Sequence, residues 1–336
     1  MDANPILAEA VRGNWVENRH RGAFAIIDDG GKIIASGGDI ERAIFPRSAI
    51  KSMQALPIFS RHAEGKFQHS NAELAMACAS HHGEVVHTST VGQFLTRMGL
   101  GADALECGAH PPTNAAARDA MRQTGEQPTN LHNNCSGKHS GMLSVALAMG
   151  VDPRGYVERE HAVQAEVRAA VEAVIGEPLS EDKCGIDGCS IPTYAAPLRA
   201  FAYGFARMAT GKGLSEERAY GARRLFDAAT SHPLLVAGTG HADTLIMEAF
   251  QGRIMQKVGA EAVQCGAIRN KGWGYAIKCD DGNVPASQAM LAALLLAFAE
   301  PDAAQRDLLE TLAHQPIKSV RGALIGELRA VSPFPV

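Results

Sequence analysis

The sequence lacks several features that would assign a class of protein at once. Aromatic residues make up only 5%, and 32 basic and 36 acidic side chains leave a net charge of −4. A charge so mild and mixed does not indicate a nucleic-acid or membrane-surface partner. With 46% hydrophobic and 20% charged residues, the composition excludes a disordered chain and a fibre. We therefore expect a soluble globular protein.

Long apolar runs and signal-like segments are also missing. The longest uninterrupted apolar run, Ala289 to Ala299, is far shorter than the roughly 20 residues that a membrane span needs. The first residues include Asp2 and no basic stretch before an apolar run, which is not typical of a secretory signal. The seven cysteines are an odd, scattered set, which favours reduced thiols or metal ligands over disulfides. These absences predict a cytoplasmic protein.

Strand patterns occur near both ends of the chain. Apolar runs at 23–28 and 32–36 flank Asp29-Gly30-Gly31, a typical hairpin turn. Toward the other end the predicted strands are 245–250, 253–257, 262–265 and 275–278. Between them, apolar residues three and four positions apart predict helices at 48–56, 91–98, 142–149, 194–208 and 216–226, and a further helix follows at 287–299.

This arrangement predicts an α+β fold. Strands at both ends of a helical middle do not alternate with helices, so a doubly wound parallel sheet is disfavoured. Because no linker or repeat divides the chain, we expect one catalytic domain over 1–336. Its mainly antiparallel sheet would come from about 20–40 and 243–280, with terminal helices added, and its helical lobe from about 48–230.

The first segment with possible chemistry is Arg47-Ser48-Ala49-Ile50-Lys51. Ser48 and Lys51 are three positions apart and share a face of a helix, and Ser48 lies in the first turn, where free N–H groups stabilise an oxyanion. A lysine with a lowered pKa can take the proton of a serine nucleophile. The string is weak by itself, because Ser48 could equally cap the helix while Lys51 is solvated.

Two further segments each end an apolar stretch with a candidate reactive residue, a serine in the first and a lysine in the second. Ser80 precedes a histidine pair and a glycine, and the alternative is that Ser80 caps a helix and the histidines lie on the surface. Lys257 ends a predicted strand as Lys-Val-Gly, which is similar to the Lys-Thr-Gly strand of serine β-lactamases and penicillin-binding proteins. A solvated lysine on an edge strand is the alternative.

Two polar segments contain the remaining candidates. Asn133 to Gly141 precedes an apolar helix and is suited to holding a carboxylate or an amide by backbone N–H groups. Asp187, within Cys184 to Pro192, could bind a substrate amine or stabilise a charged lysine. Cys135 and Cys189 are soft zinc donors, but without a Cys-x-x-Cys pair they fit structural thiols equally well.

Together these segments resemble the rhizobial-type (class 3) L-asparaginase family. The motifs that support this resemblance are, in chain order, Arg-Ser-x-x-Lys, Cys-Ala-Ser-His, Asn-Cys-Ser-Gly-Lys-His, Asp-Gly-Cys-x-x-Pro and Lys-x-Gly-Ala. The match runs over almost the whole chain. The resemblance implies a fold related to serine β-lactamases and glutaminases, hydrolysis of L-asparagine to L-aspartate and ammonia, and a homodimer.

The resemblance also implies roles for individual residues. Two Ser-Lys tandems would face the substrate, Ser48 with Lys51 and Ser80 with Lys257. One Zn²⁺ per chain, which supports substrate binding, would be held by Cys135, Lys138 and Cys189. The residues implied around the substrate are Arg47, Asn133, Ser136, Gly137, His139 and Asp187.

Other interpretations stay open at this point. Ser48 is the favoured nucleophile because it heads the helix that carries Lys51, but Ser80 with Lys257 is the alternative. A β-lactam- or ester-recognising serine hydrolase would share these motifs, although no Ser-Asp-Asn tripeptide lies between them. A zinc-stabilised amino-acid-binding protein would need no reactive serine. The threonine-type and self-cleaving asparaginases do not fit, because no Thr-Gly-Gly-Thr segment or suitable Gly-Thr junction is present.

Overall fold

A computed structural model describes residues 3–331 of the chain, and its central feature is an antiparallel sheet of eight strands. The sheet has the strand order β11-β12-β1-β2-β10-β9-β8, and β3 pairs with β2 beside this path. Its strands are β1 (Ile6–Arg12), β2 (Trp15–Asp28), β3 (Ile33–Gly37), β8 (Ile254–Gly259), β9 (Val263–Ile268), β10 (Trp273–Cys279), β11 (His314–Lys318) and β12 (Leu324–Ala330). Two small ladders pair β4 (Ala43–Ile44) with β7 (Ala196–Pro197), and β5 (Cys184–Ile186) with β6 (Pro192–Tyr194).

The long strand β2 joins two parts of this sheet. Its first half, from Trp15 to Arg21, pairs with β1, whereas its second half, from Gly22 to Asp28, pairs with β10. β3 pairs with the second half of β2 on the edge opposite to β10. Strands from the two ends of the chain therefore become neighbours in one sheet.

Helices cover both faces of the sheet. On one face lies a helical lobe, which shares a core with residues such as Ala25 and Ile27 of β2. Its helices are α1 (Lys51–Gln54), α2 (Pro57–Ser60), α3 (Ala63–Phe67), α4 (Asn71–Ala77), α5 (Val85–Arg97), α6 (Ala115–Thr124), α7 (Ser136–Met149), α8 (Ala162–Ile175), α9 (Leu198–Thr210), α10 (Glu216–Ser231) and α11 (Pro233–Ala237). Helix α12 (Ala242–Phe250) then leads into β8.

The opposite face is covered by two helices near the end of the chain, α13 (Val284–Phe298) and α14 (Ala303–Ala313). They pack against the alternate residues of β2, Phe24 and Ile26, because successive side chains of a strand point to opposite faces. The α+β class, with an antiparallel sheet from both chain ends and a helical lobe, is thus confirmed.

Several predicted boundaries differ from the structure. The sheet begins before residue 20 and continues beyond 280, since it also contains β1, β11 and β12. The strand predicted at 245–250 was wrong: this segment is helix α12, whose start is capped by the His241 side chain accepting from the Asp243 N–H. The helix predicted at 48–56 is broken into a 3-10 turn, Arg47–Ile50, followed by the short helices α1 and α2.

Two further expectations concern the cysteines and membranes. All seven cysteines are free thiols, so no disulfide framework is present. No helix within residues 3–331 combines the length and the apolar character needed to cross a membrane.

Candidate active site

Lys51 is fully buried where three segments of the helical lobe meet. Its Nζ lies 2.5 Å from the carbonyl oxygen of Ala79, 2.9 Å from Ser80 Oγ and 3.4 Å from the carbonyl oxygen of Asn134. A lysine is almost never buried without such partners, because its ammonium loses hydration. Two carbonyls therefore hold the amine in place, and its third hydrogen bond goes to the Ser80 hydroxyl.

The position of Ser80 follows from the end of helix α4. This helix ends at Ala77, and the chain then turns, so that the Ser80 N–H donates to the carbonyl of Val236 at 2.8 Å. The next residue, His81, is fully buried and contacts Ser136 Oγ through Nε2 at 2.8 Å. Burial lowers the pKa of His81 well below its usual range, so this ring is neutral. These contacts tie the Ser80 segment to the start of α7.

The second lysine, Lys257, comes from strand β8 and is also buried. Its Nζ donates to the carbonyl of Val258 at 2.8 Å. Burial lowers the pKa of Lys257 to about 8, against the opposing negative charge of Asp243 and with a smaller lowering by the charge of Lys51. Lys257 thus loses its proton much more readily than an ordinary lysine.

Strand β8 ends directly against the turn that contains Ser48. A Cβ atom on Gly259 would lie 2.4 Å from the Pro46 carbonyl oxygen and 3.0 Å from the Ala49 nitrogen, so only glycine permits this approach. Ser48 itself is half-buried, and its hydroxyl has no hydrogen-bond partner within residues 3–331. The structure therefore brings the Ser48 turn, the Lys51 helix and the Lys257 strand together.

The pairing of lysines and serines differs from the two tandems expected. Lys51 is hydrogen-bonded to Ser80 rather than to Ser48, which lies three positions before it in the chain. The Lys257 amine donates to the carbonyl of Val258 and forms no hydrogen bond with Ser80. A nucleophile and its base must come within hydrogen-bond reach, and Lys51 lies within that distance of Ser80.

Cys135, Lys138 and Cys189 form a buried cluster next to this pair. Lys138 Nζ donates to Cys189 Sγ at 2.9 Å, and Cys135 is buried beside them. The interaction with Cys189 lowers the pKa of Cys135 well below its usual range against the opposing effect of burial, and the charges of Lys138 and Lys51 lower it further. The pKa of Cys189 is raised, first by Cys135 and then by burial. One thiolate, one thiol and one ammonium thus share the cluster.

These three side chains suit a zinc ion chemically. Two sulfurs and one nitrogen are borderline-soft donors, and three protein ligands leave one position free for solvent or substrate. Burial lowers the pKa of Lys138, but Cys135 and Cys189 outweigh it, so the pKa is raised overall. A metal would therefore have to displace the Lys138 proton, and its binding would weaken at low pH.

An ion pair lies near this cluster. The Arg47 guanidinium donates to Asp187 Oδ1 through Nε at 2.9 Å and through an Nη at 2.8 Å. Burial would raise the pKa of Asp187, but the Arg47 hydrogen bonds and the charge of Lys138 hold it below its usual value. Arg47 has a φ of 52°, a left-handed conformation that is costly for a residue with a Cβ. The ion pair thus offers a positive group that complements the α-carboxylate of an amino acid and a negative group that complements its α-ammonium group.

Four other predicted residues hold the start of helix α7. Asn133 Nδ2 donates to the carbonyls of Cys107 and Gly108, both at 2.9 Å. Ser136 contacts His81, as described, and His139 Nδ1 lies 2.7 Å from the Tyr156 hydroxyl. Among the described residues, His139 Nε2 is buried without a partner.

Gly137 permits the close contact of α7 with α4. A Cβ atom there would lie 2.2 Å from the carbonyl oxygen of Met76. The residues 133–139 therefore have a clear structural role in placing Cys135 and Lys138.

The chain matches the model of a known protein family over nearly its whole length. A family model described as L-asparaginase II matches residues 8–330. The chain belongs to the L-asparaginase II family. It is therefore a member of a family of asparaginase-type amidohydrolases, and the family resemblance seen in the sequence is confirmed. Among curated proteins, none matches the chain at a significant level.

Solved structures similar to this family member include two bacterial β-lactamases. A β-lactamase from Mycobacterium bovis is 16% identical, with a TM-score of 0.41, and the alignment covers 82% of this chain and 93% of that one. A putative β-lactamase from Bacteroides dorei is 10% identical, with a TM-score of 0.42 and coverages of 80% and 92%. A protein named Mglu is 15% identical, with a TM-score of 0.48 and coverages of 88% and 68%.

Asp243 is a residue of this site that sequence reasoning missed. It is almost fully buried at the start of α12, and its Oδ2 accepts from the backbone N–H of Val258 at 2.8 Å. Its Oδ1 accepts from Gln256 Nε2 at 3.3 Å. The available signal was a lone acid before the apolar run of 245–247, since carboxylates are seldom buried without partners. Asp243 thus secures the strand residue next to Lys257.

An open cavity lies elsewhere on the molecule. A cavity of about 830 Å³ is lined by strand residues that include Val11, His314 and Arg329. It contains none of the lysines, serines or cysteines described above, so reactive groups rather than size locate the candidate active site.

Proposed function

We propose that this protein is an L-asparaginase, which hydrolyses the side-chain amide of L-asparagine to L-aspartate and ammonia. The observation that carries the proposal is the contact of 2.9 Å between Lys51 Nζ and Ser80 Oγ, in a buried site of an L-asparaginase II family chain. A serine hydroxyl becomes a useful nucleophile only when a base can take its proton. The site supplies two lysines for this task, and the pKa of Lys257 is already lowered to about 8.

We assign the attack on the amide carbon to Ser48. Its hydroxyl is free of hydrogen bonds within residues 3–331, and it lies in the first turn of the segment that carries Lys51. In this assignment Lys51 would take the Ser48 proton as the Ser48 oxygen bonds to the amide carbon. Ser80, held by Lys51, would pass its proton to the amide nitrogen as the carbon–nitrogen bond breaks and ammonia leaves, and Lys51 would return a proton to Ser80. Water would then release aspartate from the ester and restore the hydroxyl. Backbone N–H groups at the start of the turn would stabilise the oxyanion.

A second assignment exchanges the two serines. In it, Ser80 attacks and Lys51 takes its proton directly, and the contact of 2.9 Å favours this version. Both assignments use the same amide hydrolysis. They differ in which serine carries the acyl group.

The ion pair of Arg47 and Asp187 is our candidate for recognition of the amino-acid part of the substrate. The guanidinium suits the α-carboxylate in a bidentate fork, and the carboxylate of Asp187 suits the α-ammonium group. Separate recognition of both charges would place the side-chain amide of the substrate at a fixed distance from Arg47 and Asp187. Glutamine is longer by one methylene, which a pocket discriminates by only about 1–3 kcal/mol unless polar groups are also misplaced.

We propose that Cys135, Lys138 and Cys189 hold one Zn²⁺ when the metal is bound. The ion would supply a Lewis acid that orients a polar atom of the substrate. The residues themselves support this role, because the cluster lies beside Lys51 and its Cys135 sulfur is readily ionised. We further propose a cytoplasmic homodimer, and light scattering during size-exclusion chromatography measures its mass.

The deciding experiment is ammonia release by the purified protein from L-asparagine and L-glutamine, with and without added zinc. Release from L-asparagine is expected, with a lower KM when zinc is present. No release, together with hydrolysis of a chromogenic β-lactam, would support a β-lactam-recognising hydrolase instead. Binding of L-asparagine without turnover would support an amino-acid-binding protein.

A further inference from the structure

Strands β2 and β10 bring three potential metal ligands together on the face of the sheet that packs against α13. Cys279 is the last paired residue of β10, and the N–H of Asp280 continues the ladder to the Arg21 carbonyl at 2.9 Å. Asp281 therefore comes beside His20. Asp281 lies in the turn that follows β10, and its carboxylate comes back to the Cys279 thiol.

The donor atoms of these residues are already close together. His20 Nδ1 lies 2.7 Å from Asp281 Oδ2, Cys279 Sγ lies 3.0 Å from Asp281 Oδ1, and all three ligand atoms are within 4.8 Å of one another. A tetrahedral zinc ion with bonds of about 2.0–2.3 Å separates its ligands by roughly 3.3–3.8 Å. The side chain of Asp281 is 47% exposed and lies in a turn, so it has room to move outward by this amount.

We propose that His20, Cys279 and Asp281 form a second metal site, which takes Zn²⁺ with three protein ligands and one solvent molecule. An imidazole nitrogen, a thiolate sulfur and a carboxylate oxygen are all common zinc donors. Two of the donors are buried and hold fixed positions, while the exposed carboxylate gives the ion a path from solvent. On binding, the thiol proton of Cys279 leaves to solvent and the sulfur donates its electron pair to the ion.

The charged side chain next to this cluster is already paired with other residues. The adjacent carboxylate, Asp280, already accepts from Asn4 and from Arg42, in each case at about 3 Å. Asp281 Oδ1 also accepts from the N–H of Asn283, whose side chain caps the start of α13. An ion at this position would therefore join β2, β10 and the start of α13.

The second site is separate from the candidate active site. Cys279 belongs to the core on the α13 side, together with Ile277. Side chains alternate along β8, so Lys257 lies on the same face as Met255, two positions earlier. Met255 packs into the core of the helical lobe. The proposal consequently does not depend on the proposed asparaginase activity or on zinc at Cys135.

The test measures bound zinc in the full-length Cys135→Ser/Cys189→Ser variant, which removes both thiols of the first cluster. After equilibrium dialysis against micromolar free Zn²⁺, we expect one zinc per chain. Adding His20→Gln or Cys279→Ser should reduce this to less than a tenth. Loading with Co²⁺ should give a thiolate-to-cobalt absorption band that Cys279→Ser abolishes.

A matched control is Cys184→Ser in the same background, because Cys184 is the most exposed of the seven thiols. This control should keep both the zinc and the cobalt band. Absence of bound metal in the background variant, or binding that survives His20→Gln and Cys279→Ser, would overturn the proposal. If the background variant does not fold, the surface substitution Asp281→Asn is made in the otherwise unchanged chain. It should remove one zinc equivalent per chain. An unchanged zinc content would also overturn the proposal.

Discussion

Lys51 Nζ donates a hydrogen bond to Ser80 Oγ across 2.9 Å, although the two residues are 29 positions apart in the chain. The same amine contacts the carbonyls of Ala79 and Asn134, so its direction is set by two segments outside its own helix. This relationship makes Lys51 the junction of the site, next to the thiols on one side and the β8 strand on the other.

Replacing Lys51 by methionine should lower kcat for ammonia release by at least about 100-fold, because the proton partner of Ser80 is lost while most of the buried volume is kept. Steady-state kinetics with L-asparagine measures this loss. Lys212→Met is the matched control, since the Lys212 amine is exposed and pairs with Asp29 on the surface, and it should keep wild-type kinetics. A kcat within about threefold of wild type in Lys51→Met would contradict general base catalysis at this residue.

The two serines should respond differently to substitution. With Ser48 as nucleophile, Ser48→Ala should form no acyl-enzyme and lose about 1,000-fold or more in kcat, whereas Ser80→Ala should still accumulate the acyl group. Intact-protein mass spectrometry after rapid quenching detects the acyl-enzyme. Ser52→Ala is a suitable control because Ser52 is buried on helix α1, directly after the turn that contains Ser48, and its hydroxyl has no partner among the described residues. An acyl group on the Ser48→Ala protein would assign the attack to Ser80.

Removing the charge of Lys257 should stabilise the protein while inactivating it. The pKa is about 8 in the folded chain against 10.5 for an ordinary lysine, so the folded state binds fewer protons than the unfolded state between these values. Stability should therefore rise with pH through this window, and the destabilisation is fully present below pH 8. Lys257→Met should raise the free energy of unfolding by about 1–3 kcal/mol near pH 7, and by less near pH 9.5.

Urea unfolding at both pH values measures this difference. Lys212→Met should show no comparable change, because its amine is exposed. An equal gain of Lys257→Met at both pH values would mean that packing, rather than proton binding, causes the stabilisation.

Asp243→Asn should shift the pH profile of activity. The negative charge of Asp243 holds the pKa of Lys257 up, so its removal should lower that pKa further. If neutral Lys257 is needed, the acidic limb of the kcat profile moves to lower pH, while a purely structural role of Asp243 would leave its midpoint in place. Asp307→Asn, at an exposed position, is the control and should leave the profile unchanged.

Gly137→Ala should disrupt the proposed zinc site of Cys135, Lys138 and Cys189 by displacing the start of α7. The added Cβ would lie 2.2 Å from the Met76 carbonyl oxygen, and we expect a loss of about 2 kcal/mol or more in the free energy of unfolding, together with weaker zinc binding. Gly92→Ala, within α5 and with open space around it, should instead stabilise the protein by about 0.5–1 kcal/mol. Equal effects of the two substitutions would argue against the close α4 contact as the cause.

The comparison of sequence with structure separates two kinds of signal. Local patterns were sufficient for the strands at 23–28 and 275–278, where glycine turns flank apolar runs. They failed at 245–250, because this apolar run continues a helix that begins with the His241 cap. They also missed β1, whose sequence ILAEAVR is rich in residues that favour helices and forms a strand only because β2 and β12 pair with it.

The class of fold, the family and the segments that contain the reactive side chains were predictable from the sequence, because turns, periodicity and motifs are local properties. The contact of Lys51 with Ser80, the support of β8 by Asp243 and the lowered pKa of Lys257 were not predictable from it. Hydrogen-bond partners and loss of solvent depend on segments far apart in the chain, which come together only when the lobe packs on the sheet.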